Sequence, residues 1–124
     1  MKITTFNPMI VTKNADEIVA LFEGLGFEKR HAPVVDRQDT ATDRDVRLKD
    51  ANDFAVDVAS NAAVPQDVTI IRMNVRNFDE AYELLKKNGF KNTRGDETVE
   101  TDHAKAATMV AESGLTIAII EHLK

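Results

Sequence analysis

The sequence predicts an α+β fold built from two tandem βαβββ modules within a single domain, residues 1–124. Three observations predict it. A chain of 124 residues suits one domain. Two helical patterns have the same start and stop signals, with Asn77 following Asn14 by 63 positions and Gly89 following Gly26 by the same 63. Strand-like segments surround both patterns, as in a duplicated unit.

The first module, residues 1–62, opens with a strand-like segment, Ile3–Thr12, which leads into a helical pattern. Asn14 followed three residues later by Glu17 is a capping-box pattern, in which the Asn side chain accepts from free N–H groups of the first turn. Gly26-Phe27 ends the pattern, because Gly adopts the left-handed conformation that closes many helices. The apolar face of this helix is predicted to comprise Ile18, Leu21, Phe22 and Leu25.

Three strands are predicted after this helix: Glu28–Val35, Asp45–Lys49 and Phe54–Ala59. Apolar residues alternate in the last two, which is typical of strands with one buried face. The polar stretch Asp36–Arg44 is predicted to be a solvated loop or, alternatively, a segment that closes over a ligand.

The second module, residues 66–124, repeats the same order after a Pro-containing linker. Val68–Val75 is strand-like, and a helix runs from Asn77 to Gly89-Phe90 with Ala81, Leu84 and Leu85 on its apolar face. The strands predicted to follow are Lys91–Thr93, Ala106–Ala111 and Leu115–Ile120. The polar stretch Asn92–Lys105 carries the same two alternatives as the loop of the first module.

This tandem arrangement resembles the vicinal oxygen chelate superfamily, which includes glyoxalases, bleomycin-resistance proteins and dioxygenases. The residues that carry the resemblance are Asn14–Phe27, Val75–Phe90 and the closing hairpin from Glu112-Ser113-Gly114 into Leu115–Ile120. The resemblance implies curled mixed sheets around a cavity, and it implies a homodimer. The fold alone does not fix the chemistry.

Metal-dependent members of that superfamily place metal ligands on the first and last strands of each module. In this sequence the resemblance assigns those positions to Asn7, Asp57, Ile70 and Ala118. Two of these residues are apolar and an amide is a poor replacement for His, so we predict that the metal site is lost and that no cofactor is bound. The other candidate ligands are interpreted as surface, dimer-edge or loop residues: His31, His103, His122, and the acidic residues Glu100 and Asp102.

Composition excludes several function classes. The chain has no cysteine, which removes disulfides, thiolate nucleophiles and cysteine-ligated zinc. A net charge of −5 argues against binding to a nucleic-acid backbone. Apolar stretches such as Ile117–Ile120 are far shorter than the ~20 residues that a membrane-spanning helix needs, and Met1–Lys13 lacks the apolar region of a signal peptide. We therefore expect a cytoplasmic protein that binds neither nucleic acid nor membrane.

Strand alternation predicts which side chains line the cavity, because residues two apart share a face. Two arginines among them suit a carboxylate or a similar anion. An alternative is that Asp57 and Arg72 pair with each other across the sheet. The predicted ligand-binding residues are Asn7, Met9, Arg47, Asp57, Ile70, Arg72, Asn74 and Ala118.

Three functions remain open from the sequence. The first is a metal-free protein of the bleomycin-resistance type that binds a small organic molecule in a dimeric cavity. The second is a metal-dependent lyase, isomerase or dioxygenase that uses Asp57 as a ligand or general base. The third is a ferredoxin-like interaction or RNA-binding module, which the acidic charge and the scarcity of aromatic residues disfavour.

Overall fold

The computed structural model describes residues 2–30 and 45–123. The chain divides into two compact units. We call Asn7–Thr69 the N-terminal unit, and Met1–Phe6 together with Ile70–Lys124 the C-terminal unit. The first strand is divided between them, because its residues 3–6 belong to the C-terminal unit.

The N-terminal unit contains one helix and a mixed sheet. Its elements are β1 (Ile3–Thr12), α1 (Ala15–Gly24), β2 (Glu28–Arg30), β3 (Asp45–Lys49) and β4 (Ala55–Ser60). The strand order is β2-β3-β4-β1. β1 runs parallel to β4, whereas the β2–β3 and β3–β4 pairs are antiparallel. The predicted strand–helix–three-strand order of the first module is confirmed in these elements.

Helix α1 covers one face of this sheet with only part of its predicted apolar stripe. Val19 packs with Leu48, Val56 and Val58, and Ile18, Phe22 and Phe27 border that cluster. Leu21 and Leu25 are 55% and 64% exposed, so their predicted place in the core is wrong. A helical period of 3.6 puts residues 15, 18, 19 and 22 over the sheet and turns residues 21 and 25 to the flank.

The two helix starts differ although their sequences match. Asn77 accepts a hydrogen bond from the Glu80 backbone N–H at 3.0 Å, as the capping-box pattern predicts. Asn14 makes no such bond within the described part of the chain, so that prediction is wrong. Its own N–H instead donates to Thr12 Oγ1 at 2.9 Å, and its backbone (φ −117°, ψ 52°) lies outside the extended region of a capping residue.

The C-terminal unit repeats the order with one additional strand. Its elements are β5 (Val68–Val75), α2 (Phe78–Lys87), β6 (Lys91–Asn92), β7 (Val99–Glu100), β8 (Ala104–Val110) and β9 (Thr116–His122). Next to the first residues of β1, the strand order is β5-β9-β8-β6, with β7 also paired to β8. β5 runs parallel to β9, and β8 is antiparallel to β9. The core lies between α2 and this sheet, where Phe78 and Ala81 meet Met109 and Ile119.

Strand β7 falls inside the stretch predicted to be a polar loop. Asn92 organises the chain that precedes it: its side-chain N–H groups donate to the Glu97 carbonyl at 3.0 Å and to the Tyr82 hydroxyl at 3.2 Å. Its side-chain oxygen accepts from the Arg94 N–H at 2.9 Å. A single buried amide therefore orders a segment whose composition is typical of loops.

The prediction that strand Phe54–Ala59 begins at Phe54, with Phe54 on its buried face, is wrong. Phe54 is 66% exposed rather than facing α1, because it lies in the turn after Asp50 and β4 begins only at Ala55. The predictions for residues 31–44, which include His31, Asp36–Arg44 and the end of Glu28–Val35, lie outside the described residues.

Among the helices that the structure does describe, none has the length and apolar character needed to cross a membrane.

Candidate functional site

A polar network lies on the sheet face of the N-terminal unit that α1 does not cover. Arg47 Nη1 donates to Asp57 Oδ1 at 3.0 Å, and Arg47 Nη2 donates to Asn7 Oδ1 at 3.1 Å. Asn7 Nδ2 closes the ring by donating to Asp57 Oδ1 at 3.1 Å. The same Asn7 amide donates to the Pro8 carbonyl at 2.8 Å. Three of the predicted ligand-binding residues therefore meet in one network.

Strand register explains why these three side chains meet. Arg47 is directly opposite Asp57 in the β3–β4 pair, and Met9 is opposite Asp57 in the β1–β4 pair. Residues directly opposite each other point to the same face of a sheet. The neighbours of Asp57 along β4, Val56 and Val58, point the other way and enter the core beneath α1. The predicted face of Asn7, Met9, Arg47 and Asp57 agrees with this register.

Because the network is buried, the charge of its carboxylate must be compensated by other protein groups. Asp57 has 0% exposure and Asn7 has 4%, whereas the Arg47 side chain keeps 17%. A carboxylate removed from water needs a charged partner and hydrogen bonds to compensate its desolvation. Arg47 supplies the charge and two hydrogen bonds to the network. A guanidinium has five N–H groups in all, so the partly exposed side of Arg47 retains donors for a ligand.

The network tests whether a divalent metal fits the positions that the resemblance assigns to it. Asn7 and Asp57 are the two such positions in the N-terminal unit, and an oxygen of each already accepts a hydrogen bond from Arg47. A cationic guanidinium bound to both oxygens repels a second cation. Ile70 and Ala118, the two positions in the C-terminal unit, carry no ligating atom. The residues present do not fit a metal ion at these positions.

No alternative metal centre appears within residues 2–30 and 45–123, where no cluster of three or more His, Asp or Glu side chains could hold an ion. His103 and His122 are exposed near the ends of β8 and β9. Glu100 lies on β7 opposite Lys105, which gives this acidic residue a structural neighbour of opposite charge. His31 lies outside the described residues.

The C-terminal unit presents the remaining predicted residues on the sheet face away from α2. Arg72 is opposite Ala118 in the β5–β9 pair, whereas Met73 and Ile119, one residue further along, pack against α2. Arg72 and Ala118 are buried, and Asn74 is half-buried. The Asn74 backbone N–H donates to Thr5 Oγ1, but its side-chain oxygen is buried and finds no hydrogen-bond partner in the described part of the chain. Such an atom suits a ligand N–H or O–H group.

Sequence reasoning missed one residue of the N-terminal face. Arg30, at the end of β2, is directly opposite Arg47. The signal was present, because Phe27 packs under α1 and alternation along the chain then places Arg30 on the face away from the helix. The face of β2 was not deduced because the predicted strand, Glu28–Val35, lacks an alternating apolar pattern.

Comparison with solved structures identifies the fold. A hypothetical protein from Bacillus halodurans superposes with a TM-score of 0.71 at 13% identity, over 100% of this chain and 97% of the other. Methylmalonyl-CoA epimerase from Mycobacterium tuberculosis gives 0.71 at 12% identity, over 98% of this chain and 90% of that one. A glyoxalase/bleomycin resistance protein/dioxygenase superfamily member from Vibrio splendidus gives 0.61 at 12% identity, over 97% and 99%.

These likenesses cover nearly the full length of both chains. The chain has the vicinal oxygen chelate fold, as the resemblance in its sequence implies. Identities of 12–13% to these three structures establish the fold and leave the chemistry to the site. Neither the family models nor the curated proteins yield a match to this sequence.

Proposed function

We propose that this protein binds a small organic molecule without a metal ion, and that the face formed by Asn7, Met9, Arg47 and Asp57 contributes to the site. The observation that carries the proposal is the position of the Arg47 guanidinium, which hydrogen-bonds to the oxygens of Asn7 and Asp57. A permanent cation of the protein is thus bonded to the same two oxygens that a metal would need as ligands. It remains a hydrogen-bond donor, so the face keeps a means of orienting a polar ligand.

The surroundings of the network support a small-molecule site. Met9 and Val11 on β1 and Ala59 on β4 share the face and are half-buried, which adds apolar surface to the polar centre. Ligand sites commonly combine apolar walls with a few oriented polar groups. Ile70, Arg72, Asn74 and Ala118 are proposed as ligand-binding residues of the C-terminal unit, and substituting them tests that unit by itself.

An enzyme that uses Asp57 as a general base has less support. A base must be able to reach and accept a substrate proton. Asp57 is fully buried, and its Oδ1 already accepts from both Arg47 and Asn7. Methylmalonyl-CoA epimerases are among the proteins that share this fold, at 12–14% identity, and a likeness at that level concerns the fold and not the activity.

The proposal is tested by thermal shift and isothermal titration with a panel of small aliphatic and aromatic acids, amides and amines, all in EDTA. Binding at 100 times the dissociation constant stabilises the folded state by about 2.7 kcal/mol, which is readily measured. We expect Met9→Ala to weaken binding, because it removes apolar contact area from the face. Leu21→Ala is the matched control, since Leu21 is an exposed residue of α1. Binding that appears only after Mg²⁺, Mn²⁺, Ni²⁺ or Zn²⁺ is added would contradict the proposal.

We also propose that the protein is a homodimer, as the superfamily resemblance implies. Sedimentation equilibrium should then give about twice the monomer mass of 13.8 kDa. A mass of one chain at micromolar concentration would rule the dimer out and would leave the ligand proposal intact.

A further inference from the structure

A row of charged side chains crosses the face that α1 leaves uncovered. The strand pairings place Arg30 opposite Arg47, Arg47 opposite Asp57, and Asp57 opposite Met9. Opposite residues of neighbouring strands have Cβ atoms roughly 5 Å apart. The order across four strands is therefore cation, cation, anion and apolar residue.

The pairing of Arg30 with Arg47 is unusual for this sheet. Like charges directly opposite each other destabilise a strand pair, whereas opposite charges stabilise it. The adjacent pair on the same face, Glu28 opposite Lys49, has the favourable combination. The two arginines thus adopt an unfavourable arrangement that an anion between them would convert into a favourable one.

The charges around the two arginines indicate an anion with a single charge. Arg47 forms an ion pair with Asp57 at 3.0 Å, and Arg30 adds a second cation to the row. Asp45 is also on this face and half-buried, two residues before Arg47. A dianion such as phosphate would lie close to two carboxylates, whereas one carboxylate compensates one arginine. The planar fork of a guanidinium also matches carboxylate geometry.

We propose that Arg30 and Arg47 together bind the carboxylate of a small monocarboxylic acid, and that Met9 and Val11 contact its apolar remainder. This inference rests on the proposed ligand-binding function and names its substrate class. Arg47 is the pre-oriented member of the pair, because Asp57 and Asn7 fix its guanidinium. Arg30 is exposed and provides the second donor at the open edge of the site.

The test uses benzoate and hexanoate as probes, with benzamide and hexanamide as neutral counterparts of the same shape. Titrations are followed by calorimetry and by ¹H–¹⁵N spectra that observe arginine side chains. We expect the acids to bind at least about tenfold more tightly than the amides, because hydrogen bonds to a charged group are the stronger ones. The Nε–H signals of Arg30 and Arg47 should shift on titration with the acids. Raising the salt concentration should weaken the binding.

Substitutions locate the site. Arg30→Gln should weaken benzoate binding about tenfold. Arg30→Lys keeps the charge without the planar guanidinium, so its affinity for benzoate should lie between that of Arg30→Gln and that of the parent protein. Lys29→Gln removes the same charge from the adjacent residue on the opposite face, where Lys29 pairs with Leu48, and should change affinity less than about twofold.

The outcomes separate this inference from the proposed function. Equal affinity for acids and amides, equal effects of Arg30→Gln and Lys29→Gln, or tighter binding of inorganic phosphate than of benzoate would each overturn the inference. If amides or amines bind without metal while the acids do not, the inference fails and the proposed function stands. If no compound of the panel binds, both fail.

Discussion

Arg47→Met tests the buried network directly, because it removes the cation and keeps a side chain of similar length. The Arg47–Asp57 contact is 3.0 Å long and Asp57 is fully buried. Removing one partner of a fully buried pair costs about 3–5 kcal/mol, since the other charge stays in a medium of low dielectric constant. Arg47 keeps 17% exposure and Asn7 still donates to Asp57, so we expect a loss of about 2–4 kcal/mol.

Urea denaturation measures this loss. With a slope of about 2 kcal/mol per M, the unfolding midpoint should fall by roughly 1–2 M. The double variant Arg47→Met/Asp57→Asn should recover part of the loss, because the stranded carboxylate is gone, and the double-mutant cycle should give a coupling energy of about 1–3 kcal/mol.

A matched control comes from another ion pair, which lies in the C-terminal unit. Lys105 and Asp79 also lie 3.0 Å apart, but the Asp79 side chain is 79% exposed, so Lys105→Met should have a much smaller effect. A loss below about 1 kcal/mol for Arg47→Met, or a loss no larger than that of Lys105→Met, would refute the assignment of the network as a buried, charge-compensated centre.

Three further predictions concern stability and are checked by the same denaturation assay. Asn77→Ala should cost about 1 kcal/mol because it removes a helix cap, whereas Asn14→Ala should cost close to nothing, and equal losses would contradict the capping difference. The hydrogen bond from Lys105 to Asp79 raises the pKa of Lys105 above its ordinary value of 10.5. The stability that the pair contributes is therefore complete below that pH and is lost as the pH rises through the higher folded-state pKa, so the difference between parent and Lys105→Met should be constant from about pH 7 to 9 and should shrink above 10.5. Gly114→Ala should destabilise by about 1–2 kcal/mol through backbone strain alone, because its φ is +100° and the space around a new Cβ is open, and an unchanged midpoint would contradict this.

Most of the fold is readable from the sequence because its signals are local and repeated. Strands β1, β3 and β5 begin and end where the pattern predicts, and a glycine with positive φ stands two residues after the last residue of each helix. Gly26 and Gly89 have φ values of +109° and +93°, which only a residue without a side chain adopts readily. Alternation and helix termination depend on neighbouring residues alone, so one sequence suffices.

The predictions that are wrong concern features that depend on contacts formed in the folded protein. The exposure of Leu21 depends on how α1 packs on the sheet. The side-chain cap at Asn14 is missing because the Glu17 N–H donates to the Asn14 backbone carbonyl at 3.1 Å instead. Strand β7 forms because Asn92 orders the chain before it. Hydrophobic periodicity along the sequence predicts none of these three features.

The candidate site, like the fold, can be predicted only in part from the sequence. Alternation assigns Asn7, Arg47 and Asp57 to one face, but it says nothing about which atoms bond. Their mutual hydrogen bonds follow from the register of β1, β3 and β4, which sets Arg47 opposite Asp57 and places Asn7 two residues before Met9, the β1 residue opposite Asp57. Arg30 was missed because its strand has three residues without an apolar alternation.

A guanidinium in place of a divalent ion changes the chemistry that the two oxygens can support. Asn7 and Asp57 offer oxygen acceptors, and Arg47 satisfies both at 3.0–3.1 Å through hydrogen bonds rather than through coordination. A coordinated metal accepts electron pairs and acidifies bound water, whereas a guanidinium has no vacant position and acts only as a donor with a fixed charge. Because its charge cannot be removed by a chelator, a ligand bound through it keeps its affinity in EDTA. Persistence of binding in EDTA together with its loss at high salt therefore distinguishes this arrangement from a metal centre, since salt screens the partly exposed guanidinium far more than a coordination bond.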